Sequence, residues 1–186
     1  EILALSPDFV VLSADVASQV KLHGALEAAE VPHAYYRVDA FADYLAMLGQ
    51  FCRLTGREDL YEENGLAVRD RIDAILAAVE GKTGPTALLI RAYSTGAKAK
   101  GDDNLAGVIL RDLGADNLVD RCESMLEDVS MEEVIAADPD FIFVTTMGAE
   151  DKALEFMAGT FEENPAWAGL SAVKNGRYVL LPKELF

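Results

Sequence analysis

Three features of the chain predict an α/β fold with parallel sheets. Short continuous apolar runs, such as Phe9-Val10-Val11-Leu12 and Thr86-Ala87-Leu88-Leu89-Ile90, read as strands buried on both faces. Amphipathic helical stretches alternate with them, which is the pattern of strand–helix–strand units. One long stretch from about Gly56 to Glu80 carries Val68, Ile72, Ile75, Leu76 and Val79 as a single helical stripe and divides the chain near its middle.

In order along the chain, Glu1–Leu5 reads as a helix ended before Pro7, because the residue before a proline avoids the helical region. A strand follows at Phe9–Leu12, then a helix at Val16–Glu30, a strand at His33–Val38 and a helix at Phe41–Leu54. Thr55 with Glu58 has the spacing of a capping box opening the long helix, and Gly81, Gly84 and Pro85 close it. About 25 residues at ~1.5 Å each make a rod on the order of 37 Å, either a core helix or a spine between two lobes. The second half repeats the pattern. A strand covers Thr86–Ile90 and a loop Arg91–Gly101, and Asp102 or Asp103 caps a helix to Leu113. A short strand falls at Asn117–Val119. Ser130 with Glu133 is a second capping box, opening a helix to Ala137. A strand covers Phe141–Thr145, a helix Lys152–Phe161, a helical turn Pro165–Leu170, and a last strand Tyr178–Leu181.

The segment Ile2–Ser13 matches Val134–Thr145 position for position in chemistry: helix end, Pro-Asp turn, buried strand. Pro-Asp is a common turn, so coincidence is one reading. The other is two related lobes flanking the long helix, the first incomplete with only two strands.

The 186 residues, 51% hydrophobic, suffice for one sizeable core or two small lobes. A net charge of −16 repels phosphate backbones and speaks against nucleic-acid binding. Cys52 and Cys122 stand far apart with no metal-ligand spacing and read as packed thiols. No signal peptide, lipobox or membrane span is visible, and both ends read as cut from a longer chain. His23 and His33 read as surface or packing residues. Gly81-Lys82-Thr83 looks like a phosphate-loop ending, but a helix precedes it and Leu76 stands where the first glycine belongs.

Positive charge is the more informative signal. In open α/β sheets ligands bind beyond the carboxyl ends of the strands. Arg37, Arg91 and Lys183 fall at such ends, with Lys98 and Lys100 in the loop after Arg91. Tyr36 and Tyr93 add ring faces and Met147 a soft side chain beside them. Guanidinium forks suit carboxylates and catecholates, so the set fits an anionic, partly flat ligand.

Leu54-Thr55-Gly56-Arg57-Glu58 opening a long helix resembles the spine of the helical-backbone (class III) ABC-transporter substrate-binding proteins. The runs Leu126-Glu-Asp-Val-Ser-Met-Glu-Glu-Val-Ile-Ala-Ala-Asp-Pro-Asp-Phe-Ile142 and Asn164-Pro-Ala-Trp-Ala-Gly-Leu-Ser-Ala-Val-Lys-Asn-Gly-Arg-Tyr-Val179 resemble signatures of that family's second lobe. The resemblance implies two Rossmann-like three-layer lobes bridged by one helix: residues 1–55 the end of the first lobe, 56–81 the bridge, and 82–186 the second lobe without its final helix. It implies an extracytoplasmic protein, periplasmic or a cell-surface lipoprotein, that catalyses nothing and has no intrinsic cofactor or metal. The protein would carry a ferric chelate of siderophore type, or haem or cobalamin, in the inter-lobe cleft to an ABC permease. Arg91, Tyr93 and Arg37 would hold the ligand, with Tyr36, Lys98, Lys100, Met147 and Lys183 around it. Glu132 matches the acidic position that docks the permease; its first-lobe counterpart falls immediately before Glu1. Trp167 reads as packing. A metallocluster enzyme subunit is the alternative from another class.

Overall fold

A computed structural model describes residues 2–185 and divides the chain into two compact units, Glu1–Asp70 and Arg71–Phe186. In the first unit a 3-10 turn at Ile2–Leu5 leads through Pro7 into β1 (Val10–Ser13). The expected helix at Val16–Glu30 is instead two short ones, α1 (Ala17–Val20) and α2 (His23–Ala28). β2 (His33–Tyr36) pairs parallel with β1, and Val10, Leu12 and Leu26 form a small core against Leu22, Val31 and Tyr35.

α3 (Phe41–Thr55) starts with the Asp43 carboxylate accepting from the Asp39 and Ala40 N–H groups at 3.1 and 3.0 Å. It ends on Gly56, whose φ of 67° a residue without a Cβ adopts freely. This overturns the expected capping box at Thr55. The Thr55 hydroxyl turns back to the Phe51 carbonyl at 2.8 Å, and the next helix opens at Arg57 without a side-chain cap. Nor is that helix one regular rod. α4 (Glu58–Tyr61) passes into a π turn at Glu62–Leu66, where Gly65 packs against Leu45, Leu48 and Tyr61, and then into α5 (Ala67–Val79). The unit boundary falls inside α5. Val68, Ile72, Leu76 and Val79 are half-buried, while Ile75 is exposed.

The second unit is built on a five-stranded sheet: β3 (Thr86–Tyr93), β4 (Gly96–Ala99), β5 (Asp116–Asn117), β6 (Phe141–Thr146) and β7 (Tyr178–Leu180). The path runs β4-β3-β6-β7, with β5 beside the start of β3. All pairings are parallel except β3 with β4, so the parallel expectation fails at that edge. α6 (Leu105–Asp112) is capped by Asn104, whose Oδ1 accepts from the Ala106 and Gly107 N–H groups, not by Asp102 or Asp103. α7 (Met131–Ala137) opens on the expected box: Ser130 Oγ accepts from the Glu133 N–H at 3.2 Å, and Glu133 reaches back to Ser130. α8 (Glu150–Met157) continues as a π turn to Glu162, and α9 (Ser171–Lys174) precedes β7.

Strand side chains alternate between faces. Leu88, Ile90, Ala92, Ile142 and Val144 are buried on one face with Val134, Met157, Phe161 and Trp167. Ala87 and Leu89 point the other way, against Ala106, Leu110, Phe141 and Phe143. Each fully buried aliphatic side chain there contributes roughly 1.5–3 kcal/mol relative to exposure. Trp167, 5% exposed, packs between Phe161 and Tyr178 as expected.

Candidate functional site

The segment expected to be a loop after Arg91 is a β-hairpin. β3 continues through Tyr93, turns at Ser94-Thr95, and returns as β4 with Tyr93 opposite Gly96 and Arg91 opposite Lys98. Ala97 and Ala99 are buried in the core, so the intervening Lys98 faces the other way. Residues directly opposite share a face, and so do residues two apart, which puts Arg91, Tyr93 and Lys98 on one face near the carboxyl end of β3. Thr145 of β6 is Arg91's partner on the other side. Pairing extends one residue further, since the Lys100 N–H donates to the Leu89 carbonyl at 2.8 Å.

Arg91 is half-buried, and its side chain has no hydrogen-bond or ion-pair partner among the described residues. A guanidinium stays charged, so this is an uncompensated cation in a strongly acidic chain. The lysines differ. Lys98 Nζ lies 3.6 Å from Glu127, and Lys100 Nζ lies 2.9 Å from Asp103. Both border an open cavity of about 640 Å³ that also carries Asp102, Asp120 and Glu123. Carboxylates outnumber lysines there, which disfavours an anion in the cavity itself.

Met147 follows β6, 48% exposed, with its N–H donating to the Ala92 carbonyl at 2.9 Å. Lys183 lies past β7 and donates to the Gly148 carbonyl, next to Met147. Arg37 and Tyr36 belong to the first unit. Arg37 Nε is 2.7 Å from Asp15 Oδ1, and the Tyr36 hydroxyl donates to Gln50 Oε1 at 2.8 Å while its ring meets Phe51 edge-on at 5.0 Å. Arg91, Tyr93 and Lys98 are therefore brought together, with Lys100, Met147 and Lys183 on neighbouring segments. Tyr36 and Arg37 form a separate pair. Glu127 and Asp103, which restrain the lysines, are not among the site residues the sequence predicts; the i,i+3 spacing from Lys100 points only to Asp103.

Glu132 is exposed on the first turn of α7. Its neighbour Glu133 is occupied: Ser124 Oγ donates at 2.5 Å and Ser130 Oγ at 2.9 Å, holding the carboxyl below its ordinary range. Cys122 Sγ also donates to Glu133, at 3.8 Å, and Cys52 is buried in the first unit. Among the described residues no group of three or more His, Cys, Asp or Glu is arranged to hold a metal, and no helix is long and apolar enough to cross a membrane.

The profile of a family described as periplasmic binding protein matches residues 1–185. The chain belongs to the periplasmic binding protein family. No curated protein matches it in sequence. Among solved structures, a TroA-like periplasmic binding protein FepB from Veillonella parvula superposes with a TM-score of 0.79 at 18% identity, over 99% of this chain and 59% of its own. A periplasmic haem-binding protein from Pseudomonas aeruginosa gives 0.66 at 22%, over 99% of this chain and 66% of its own. HutB of Vibrio cholerae, also a haem-binding protein, gives 0.71 at 19%, over 98% and 70%. The fold of this binding protein is thus that of class III members, its structural neighbours are titled for haem, siderophore or iron, and the chain spans about 59–70% of the length of those three.

Proposed function

We propose that this binding protein is the extracytoplasmic solute-binding component of an ABC importer and carries an iron–siderophore-type chelate. Arg91 carries the reading: a half-buried guanidinium without a partner, beside Tyr93 at the carboxyl end of a sheet, in a chain of net charge −16. Such a group lowers its free energy by donating two N–H bonds to an anionic oxygen pair. Tyr93 offers a ring face, while Lys98, Lys100, Met147 and Lys183 border the ligand. Residues 56–81 connect 1–55 to 82–186 along the chain, Glu132 presents its carboxylate to the permease, and the protein is periplasmic or a cell-surface lipoprotein. A structural neighbour titled as a siderophore-binding protein holding acinetobactin and ferric iron supports this ligand class. Haem is the second reading, favoured by neighbours titled for haem and by Tyr93 and Met147 as available axial groups; a corrinoid is the third.

Titration with ferric siderophores, haemin and cyanocobalamin, followed by calorimetry and visible spectra, tests the reading. At least one should bind tighter than roughly 10 μM, about −6.8 kcal/mol. Binding of none of them, with binding of nucleotides instead, overturns it. Arg91→Ala should weaken an anionic ligand by about 1–3 kcal/mol, the loss of a charge-assisted contact. Unchanged affinity removes Arg91 from the site.

A further inference from the structure

In the first unit, away from Arg91 in sequence, His23 opens α2 and His33 opens β2. His23 Nδ1 lies 2.9 Å from His33 Nε2. The other nitrogen of each ring is already placed. His33 Nδ1 is 2.8 Å from the Val31 carbonyl, which can only accept, so Nδ1 carries the proton and Nε2 is a lone pair. His23 Nε2 is 3.5 Å from Glu27, a carboxylate that favours a proton there. Two arrangements satisfy this contact: His23 Nδ1–H donates to the His33 Nε2 lone pair, or, with the proton of His23 on Nε2 beside Glu27, the two inner nitrogens present lone pairs that one metal ion can share. Histidines that ligate metals characteristically donate their second N–H to a backbone carbonyl or a carboxylate, the two partners found here.

The geometry points to a transition-metal site formed by His23 Nδ1 and His33 Nε2, completed by water. At metal–nitrogen distances of about 2.0–2.1 Å, a 2.9 Å separation corresponds to a ligand angle of roughly 90°, which suits copper(II) or nickel(II) more than tetrahedral zinc. The His23 side chain is 56% exposed, so its ring can turn toward the ion. On binding, the metal takes the place of the hydrogen between the rings, and the His23 proton moves to Nε2 beside Glu27, or leaves to solvent where Nε2 already carries one. This site is independent of the ligand reading above, and its failure leaves that reading intact.

Titration of the protein with copper(II) sulfate at neutral pH, by calorimetry and electron paramagnetic resonance, tests it. One ion should bind with a two-nitrogen hyperfine pattern. His23→Ala and His33→Gln should each weaken binding at least tenfold and reduce the pattern to one nitrogen, with unchanged circular dichroism. An oxygen-only spectrum in the wild type, or equal binding in either variant, overturns the site.

Discussion

The two Pro-Asp segments, Ile2–Ser13 and Val134–Thr145, show how far a shared local sequence determines a shared structure. The equivalent residues before the prolines, Ser6 and Asp138, both take the left-handed region, with φ of 47° and 38°. Each then enters a strand whose first and third matched positions are buried, Val10 and Leu12 in one, Ile142 and Val144 in the other. Left-handed backbone costs a non-glycine residue roughly 1–2 kcal/mol, so its recurrence at one matched position argues against coincidence. The surroundings differ. Asp138 accepts from the Ser171 N–H and hydroxyl, both at 2.7 Å, and Asp140 accepts from the Thr86 N–H and hydroxyl at 2.9 Å. Asp8, the counterpart of Asp140, is exposed with no partner among the described residues. The turn is written locally, whereas the stability around it comes from what other strands and helices supply.

Core truncation should separate the two regions most. Ile142→Ala, at 0% exposure inside the large core, should cost near the upper end of about 2–5 kcal/mol in chemical denaturation. Leu12→Ala, in a core of three buried residues, should fall at the lower end; equal losses would break the contrast. Glycines sharpen it next. A Cβ on Gly107 would sit 1.7 Å from the Gly101 carbonyl, so Gly107→Ala should destabilise by about 1–3 kcal/mol. Gly24 in α2 meets open space, and Gly24→Ala should stabilise by up to about 1 kcal/mol, read from thermal midpoints.

The smallest difference concerns acid. The Thr86 backbone N–H, then its hydroxyl, hold the Asp140 carboxyl below its ordinary value. Its folded pKa thus lies under its unfolded one, so its contribution is complete above about pH 4 and fades as pH falls through the folded value. Asp140→Asn should flatten the decline in thermal midpoint below pH 4, and an unchanged decline would break this part of the contrast.

Much of this was legible in the chain. Uninterrupted apolar runs marked β1, β3 and β6, because parallel strands bury both faces. Ser130 and Glu133 marked the start of α7. The misses have physical causes. Asp102, Asp103 and Asn104 are near-equal caps, and only the packed position of the helix start selects Asn104. Thr55 beside Gly56 carried two opposite signals, a helix start and a helix end, and the left-handed glycine won. The hairpin lacks an Asn-Gly turn, although Ala97-Lys98-Ala99-Lys100 alternates with the period of a strand. At the candidate site, Arg91, Tyr93 and Lys98 were visible as residue types. Their shared face depends on that hairpin, and the restraint of the lysines depends on Glu127 and Asp103.

The π turn at Glu62–Leu66 has a consequence for how the chain can vary in length. A π turn holds one residue more than the α-helical path it replaces. Losing a residue there would restore a regular helix and leave Val68, Ile72 and Leu76 in phase with the residues before the turn. The same loss within Ala67–Val79 would swing every later side chain by about 100° around the axis. Single-residue deletions in this helix are therefore absorbed at one place and disruptive elsewhere.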